Sequence, residues 1–228
     1  MVKLLYITAK PKGLEQSKGL QIGEAFLDGF LLSRPDTQVS RLDLFQLDIP
    51  EMDAELISAR GKTAGSGLSL EQLTKPERSK LLRMHAVADH FLDFDCYVFV
   101  SPVWNLGSPP VLKAYLDNLF VHGKTFAFTS DGPKGLLASK TAIHIQTRGG
   151  VYSEGPMKGL ESGDRYLQIA LGFLGIRMMP TVVAEGFDRF PHKTDQIVAS
   201  AKVKAAVAAA KIAQDAEGLC PAEECSHV

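Results

Sequence analysis

The chain has 228 residues, 45% hydrophobic and 22% charged, with a formal net charge of −1. That length supports one large domain with a real core, and the charge balance leaves no basic field for nucleic acid or an anionic membrane surface. No apolar run approaches bilayer-spanning length, and three cysteines, with Cys220 and Cys225 near the end, argue against a disulfide framework and for a cytoplasmic setting.

The N-terminus enters a strand over residues 2–8 without the layout of a signal peptide. A loop over 9–17 carries Pro11 and Gly13. A helix over 18–33 follows, with Leu20, Ala25, Leu27, Phe30 and Leu31 falling on one face. Pro35 and Asp36 end it, and a second strand covers 39–44. Strand, helix and strand form a βαβ unit, which demands a parallel sheet and a right-handed crossover. Residues 54–60 suit a short helix. Residues 61–69, rich in Gly, Ser and Thr, read as a mobile excursion. Thr74, Pro76 and Glu77 make a capping-box start for a helix reaching residue 92, with Leu81, Met84, Val87, Ala88 and Phe91 inward.

The apolar run from Cys96 to Val100 reads as a fully buried strand. It stops at Ser101-Pro102, and the loop beyond carries the only tryptophan, Trp104, beside Asn105. Ser108 is the expected N-cap of a helix over 109–121, with Pro109 in its first position. Residues 125–129 alternate and 130–133 signal a turn, so a short surface β-excursion is expected. A core strand over 140–147 ends at Arg148-Gly149-Gly150. A helix over 164–174 is closed by Gly175, and a last strand over 178–184 carries Pro180, which points to an edge position. An alanine-rich helix runs over 194–216, leaving 217–228 as a loose tail.

Five strands alternating with helices give an α/β fold in one domain over 1–216. The motif G-x-G-x-x-G is absent after the first strand, so the expectation is a flavodoxin-like, doubly wound, five-stranded parallel sheet with helices on both faces. Ligands of such sheets sit at the carboxyl ends of the strands, where three loops converge. The first loop precedes a helix N-terminus, which favours an anion near Gln16 and Ser17. Glu15 is a repulsive neighbour there, and Lys10, Lys12 and Lys18 offset it. The second loop presents the flat face of Trp104, the amide of Asn105 and backbone donors. The third presents Arg148 and two glycines that allow close backbone approach. Phosphate at one end and a flat heterocycle at the other describe a mononucleotide such as FMN.

These residues resemble the FMN-dependent NADH-azoreductase family of quinone and azo-compound reductases. The resemblance covers roughly residues 1–215. It rests on Pro102-Val103-Trp104-Asn105, on Leu112-Lys113-Ala114-Tyr115-Leu116-Asp117, on residues 125–129 followed by Gly132-Pro133-Lys134-Gly135-Leu136, and on Thr147-Arg148-Gly149-Gly150. Residues 171–176 and Ala184-Glu185-Gly186 also match. The chain departs from the family at Lys10 and Glu15-Gln16-Ser17, where the family carries serines. It also departs at Trp104, which replaces a tyrosine, and at Tyr152, which replaces a histidine.

The resemblance implies a homodimer with FMN at the subunit interface. NADH or NADPH would give hydride to the flavin and then yield its place to a quinone or azo compound, a ping-pong exchange. By this resemblance Lys10, Gln16 and Ser17 hold phosphate. Pro102, Val103, Trp104, Asn105 and Leu106 hold the ring edge, and Thr147, Arg148, Gly149 and Gly150 its pyrimidine side. Tyr152 is a hydrogen-bond donor, Phe128 and Phe173 line the substrate pocket across the dimer, and no obligatory acid–base residue is expected. Two other readings are a flavodoxin-type electron carrier, which the near-neutral charge disfavours, and a flavin-free dimeric scaffold or sensor. His85, His90, His122 and His144 read as packing or solvent-facing, and Cys96 as inert. Cys220, Cys225 and His227 lack a fourth partner for a metal, so no metal is expected.

Overall fold

Alternating apolar strands and amphipathic helices build the parallel sheet that the βαβ pattern demands. In the computed structural model, which describes residues 1–11 and 13–215, the strands are β1 (Lys3–Thr8), β2 (Gln38–Asp43), β3 (Cys96–Pro102), β4 (Phe126–Thr129), β5 (Gly132–Gly135), β6 (Thr141–Arg148), β7 (Arg177–Met178) and β8 (Val182–Glu185). The helices are α1 (Lys18–Ser33), α2 (Ala54–Arg60), α3 (Lys75–Leu92), α4 (Pro110–Asp117), α5 (Gly163–Phe173) and α6 (Thr194–Asp215). The main sheet runs β2-β1-β3-β6, and β7 and β8 both pair in parallel with β6 on its outer side. This is the doubly wound order in which the chain reverses direction between β1 and β3. The tail over 217–228, with its cysteines and His227, lies outside the described residues, as does Lys12.

The expected fifth strand is broken. Ala142 pairs with Met178 and Ile145 with Val182, so two residues of β6 face three of the edge segment. The extra residue falls at Met179-Pro180-Thr181, where proline has no N–H to give the ladder; a bulge on an edge strand is where a sheet accepts it.

Every residue of β3 and β6 is buried, so these strands form the centre. On one face Tyr6, Val98, Val100, Ile143 and Ile145 pack under Ile22, Phe26 and Phe30 of α1 and Ala201, Ala205 and Ala209 of α6. The apolar face of α1 is therefore rotated from the expected one, with Leu20, Ala25 and Leu31 only partly buried. On the other face Leu5, Ile7, Tyr97 and Phe99 meet Phe91, Leu112, Tyr115, Leu167 and Leu171. The inward face of α3 holds Leu81, Met84, Ala88 and Phe91, while Val87 is only partly buried.

Two helix boundaries differ from the sequence reading. Ser108 is not a cap: Pro109 takes the N-cap position with Pro110 next, and the Ser108 hydroxyl is buried without a partner. α4 also stops at Asp117 rather than near 121, because the Asn118 side chain donates to the carbonyls of Ala114 and Pro50 at 2.8 and 2.9 Å and turns the chain. Residues 61–69 are not simply an excursion, since Gly61–Gly65 extends α2 by one wide helical turn closed by Ser66 N–H on the Gly61 carbonyl. β4 and β5 form the expected surface hairpin.

Candidate functional site

The loops leaving β1, β3 and β6 meet in a cleft of about 240 Å³ lined by Lys10, Pro11, Gln16, Ser17, Lys18, Pro102, Val103, Trp104, Thr147, Arg148, Gly149, Phe187 and Asp188. It sits at the point where strand order reverses, the place where open α/β sheets bind ligands.

One end of the cleft is cationic. The 16-residue α1 begins there, capped by Ser17, whose hydroxyl accepts from Leu20 N–H at 3.3 Å. Lys10 reaches across to the third loop, its ammonium donating to Thr147 Oγ1 at 3.1 Å. Lys18 lies 5.1 Å over the Phe187 ring. Helix terminus and lysines together favour an anion. Glu15, the repulsive neighbour in the sequence, does not line this cleft; it lies on an adjoining depression with Gln21, Thr194, Asp195 and Lys202.

The second loop is a tight turn. Trp104 and Gly107 exchange backbone hydrogen bonds of 2.9 and 3.0 Å around Asn105 and Leu106, whose φ values are 49° and 67°. Asparagine tolerates the left-handed region, whereas leucine there costs on the order of 1–2 kcal/mol. The N–H groups of Val103 and Trp104 are engaged, with the Thr147 and Gly107 carbonyls, so these two donors are not open to a ligand. Trp104 stays 38% exposed and leans on Phe45, ring centroids 6.1 Å apart.

In the third loop Arg148 lines the cleft, and its guanidinium is engaged by Gln146 Oε1 at 2.7 Å and the carboxylates of Glu161 and Glu185 at 3.4 Å each. The reason is β6 itself. Its α5-facing side carries His144, Gln146 and Arg148, polar groups that burial obliges to find partners. Gln146 reaches Glu161 at 3.0 Å, and His144 lies between Ser101 Oγ at 2.9 Å and Asp164 Oδ1 at 2.7 Å. Burial works against ionisation of Asp164 and of Glu185. The His144 bond for Asp164, and the Ser153 and Tyr152 bonds for Glu185, outweigh it and hold both carboxyls below their usual range.

Six expected site residues are not among those lining this cleft, and two of them, Phe128 and Phe173, are expected across the dimer rather than here. Gly150 and Tyr152 pack on each other, the tyrosine ring filling the space beside the glycine. Phe128 is 70% exposed on the hairpin, and it and Phe173 of α5 both touch Phe126, at 5.6 and 5.5 Å. Asn105 and Leu106 stand at the tip of the Trp104 turn, outside the lining. Pro11, Phe187 and Asp188 join the cleft without having been singled out. The Asp188 carboxylate occupies the space beside Gly149 that any side chain there would need.

A family model described as flavodoxin-like fold matches residues 2–208. The chain belongs to the flavodoxin-like fold family. Among curated flavodoxin-like relatives, the FMN-dependent NADH:quinone oxidoreductases of Staphylococcus haemolyticus and of Geobacillus kaustophilus are each 44% identical over 205 residues, covering 90% of this chain and 97% of theirs. Among solved structures, an azoreductase from Bacillus anthracis strain Sterne superposes with a TM-score of 0.85 at 36% identity, covering 92% of this chain and all of that one. An FMN-dependent NADH-azoreductase from Bacillus anthracis strain Ames Ancestor in complex with FMN superposes with a TM-score of 0.81 at 29% identity, covering 93% of this chain and all of that one. Among the described residues of this flavodoxin-like chain, no helix is long and apolar enough to cross a membrane.

Proposed function

We propose that this chain is an FMN-dependent NADH:quinone oxidoreductase that also reduces azo compounds. The observation that carries the reading is the convergence, in one cleft, of the α1 N-terminus, two lysines and an exposed indole. The donor set fits a flavin mononucleotide. Lys10, Lys18, Gln16 and Ser17 suit its phosphate, with Glu15 turned elsewhere. Pro102, Val103 and Trp104, with Asn105 and Leu106 at the rim, suit its ring. Thr147 and Gly149 supply the remaining edge, with Gly150 and the hydrogen-bonding Tyr152 packed on each other just beyond it. Arg148 contributes by bracing β6 rather than by contact through its guanidinium.

When bound, FMN supplies two-electron hydride transfer from NADH to a quinone or an azo compound. The protein's share is orientation: the indole presents a flat apolar wall, the lysines hold the anionic end, and the polar network under β6 fixes the loops. No side chain has to move a proton in an obligatory step.

The functional unit is a homodimer. Phe128, Phe173, Leu136 and Ile169 are all exposed on or beside the hairpin and on α5, apolar surface of the kind that marks a protein contact. In the dimer Phe128 and Phe173 line the acceptor pocket of the partner subunit.

Reconstitution with FMN followed by assay of quinone-dependent NADH oxidation, with NADPH scored alongside, tests the reading. Turnover with NADH supports it. A protein that retains FMN and oxidises neither nucleotide overturns it.

A further inference from the structure

The loop that carries Trp104 is held at both ends by one polar chain, buried at Ser101 and His144 and exposed at Ser162. At its start, Ser101 is fully buried and its hydroxyl lies 2.9 Å from His144 Nε2. At its far side, the Leu106 carbonyl accepts two hydrogen bonds from Ser162, from the backbone N–H at 2.8 Å and from Oγ at 2.9 Å. Ser162 is the N-cap of α5, and two residues later Asp164 closes the circuit by bonding His144 Nδ1 at 2.7 Å. Asp164 is itself held by Thr181 Oγ1 at 2.6 Å, from the bulge beside Pro180. The fit is close: a side chain on Gly163 would meet the Ser108 backbone N at 2.6 Å, so the start of α5 presses on the backbone where the loop ends.

A leucine held in the left-handed region persists only where its surroundings over-determine it. The only partner of the Leu106 carbonyl described above is Ser162, and Ser162 is placed by a helix whose first turn is tied to the core through Asp164.

We propose that His144 and Asp164 are positioning residues for the Trp104 loop: the pair fixes α5 so that Ser162 holds the strained turn and the indole keeps its place at the cleft. Neither residue touches the ligand. Their effect falls on the ring-binding end and not on the cationic end, which is built from α1 and the first loop. The inference rests on the flavin reading only where flavin affinity is the readout.

The test uses the full chain freed of flavin, in which Trp104 is the sole tryptophan. Acrylamide quenching and the emission maximum are compared between the wild type and Asp164→Ala, followed by titration with FMN and with riboflavin. The expected result is a red-shifted, more quenchable tryptophan before any flavin is added. Affinity is then expected to fall about tenfold for FMN and for riboflavin alike, leaving their ratio unchanged because the phosphate end is intact. A folded Asp164→Ala protein with wild-type quenching overturns the proposal, even if its melting temperature is lower. If Asp164→Ala does not fold, Ser162→Ala, which removes one of the two donors to Leu106, carries the test: a smaller shift in the same direction supports the proposal and no shift overturns it. If the wild type binds neither flavin, the functional reading fails, while the quenching comparison still decides on the positioning pair.

Discussion

The hydroxyl of Tyr6 fills the space that a side chain on Gly23 of α1 would occupy. The Tyr6 ring is buried at the centre of one core layer, and its hydroxyl is buried without a hydrogen-bond partner. Burial pushes the phenol well above its ordinary range, so it stays neutral. Gly23→Ala drives a methyl into a ring that cannot swing away, and overpacking of this kind costs about 1–3 kcal/mol. Tyr6→Phe removes the closest contact and an unsatisfied polar group, a gain of ~1 kcal/mol, but leaves ring carbons at 2.9 and 3.0 Å from a side chain on Gly23. The double variant Gly23→Ala/Tyr6→Phe is expected to recover part of the loss, the part due to the hydroxyl. Denaturant unfolding of the four proteins measures the coupling, and strict additivity would contradict it.

Acid sensitivity is expected at Glu77, in the first turn of α3. Its carboxylate accepts from Lys62 at 2.6 Å and Ser58 at 2.7 Å and closes the capping box with Thr74 N–H at 2.9 Å. Lys62 first, then Ser58 and Thr74, pull its pKa from 4.5 down to about 2. A carboxyl depressed in the folded state adds stability above its unfolded pKa and loses it as pH falls from there through the folded value. The wild type is therefore expected to lose stability between about pH 5 and pH 2 that Glu77→Gln has already lost. Unfolding midpoints at neutral and acid pH should converge for the two proteins; a constant gap would count against the role given to Glu77.

The cationic end of the cleft makes a prediction that separates phosphate from ring. Lys10→Ala and Lys18→Ala should weaken FMN several-fold each, up to about tenfold for one charge-assisted contact, and leave riboflavin affinity unchanged. The loss should shrink at high ionic strength. Equal weakening of both flavins would place the lysines away from the phosphate.

At Leu106 the side chain matters less than the backbone. Leu106→Gly relieves the left-handed strain and adds unfolded-state entropy, two terms of about 1 kcal/mol that oppose each other. Its melting temperature should stay close to the wild type. Leu106→Val places a β-branched residue at positive φ and should lower both melting temperature and flavin affinity. Tolerance of valine would mean that the turn relaxes in solution.

What the sequence disclosed follows from the range of the interactions involved. The start of α3 was legible because Thr74, Pro76 and Glu77 act within one turn. The order of the sheet was legible because each βαβ unit carries its own handedness. The ion pairs of Arg148 were not legible because its partners, Glu161 and Glu185, lie 13 and 37 residues further along the chain. His144 looked like packing for the same reason, its carboxylate arriving from α5. Phe187 and Asp188 follow the Ala184-Glu185-Gly186 segment, whose match carried no chemistry until the end of β8 was seen to reach the cleft. Pro180 announced an edge, and only the register to β6 exposed the bulge.

Titration of the flavin-free protein with FMN, followed by the fluorescence of Trp104, tests the proposed site most directly, because one tryptophan gives the signal one source. Saturable quenching that is lost in Trp104→Phe and is weaker with riboflavin is the expected result. Wild-type protein that shows no quenching and retains no flavin would contradict the assignment of this cleft to FMN.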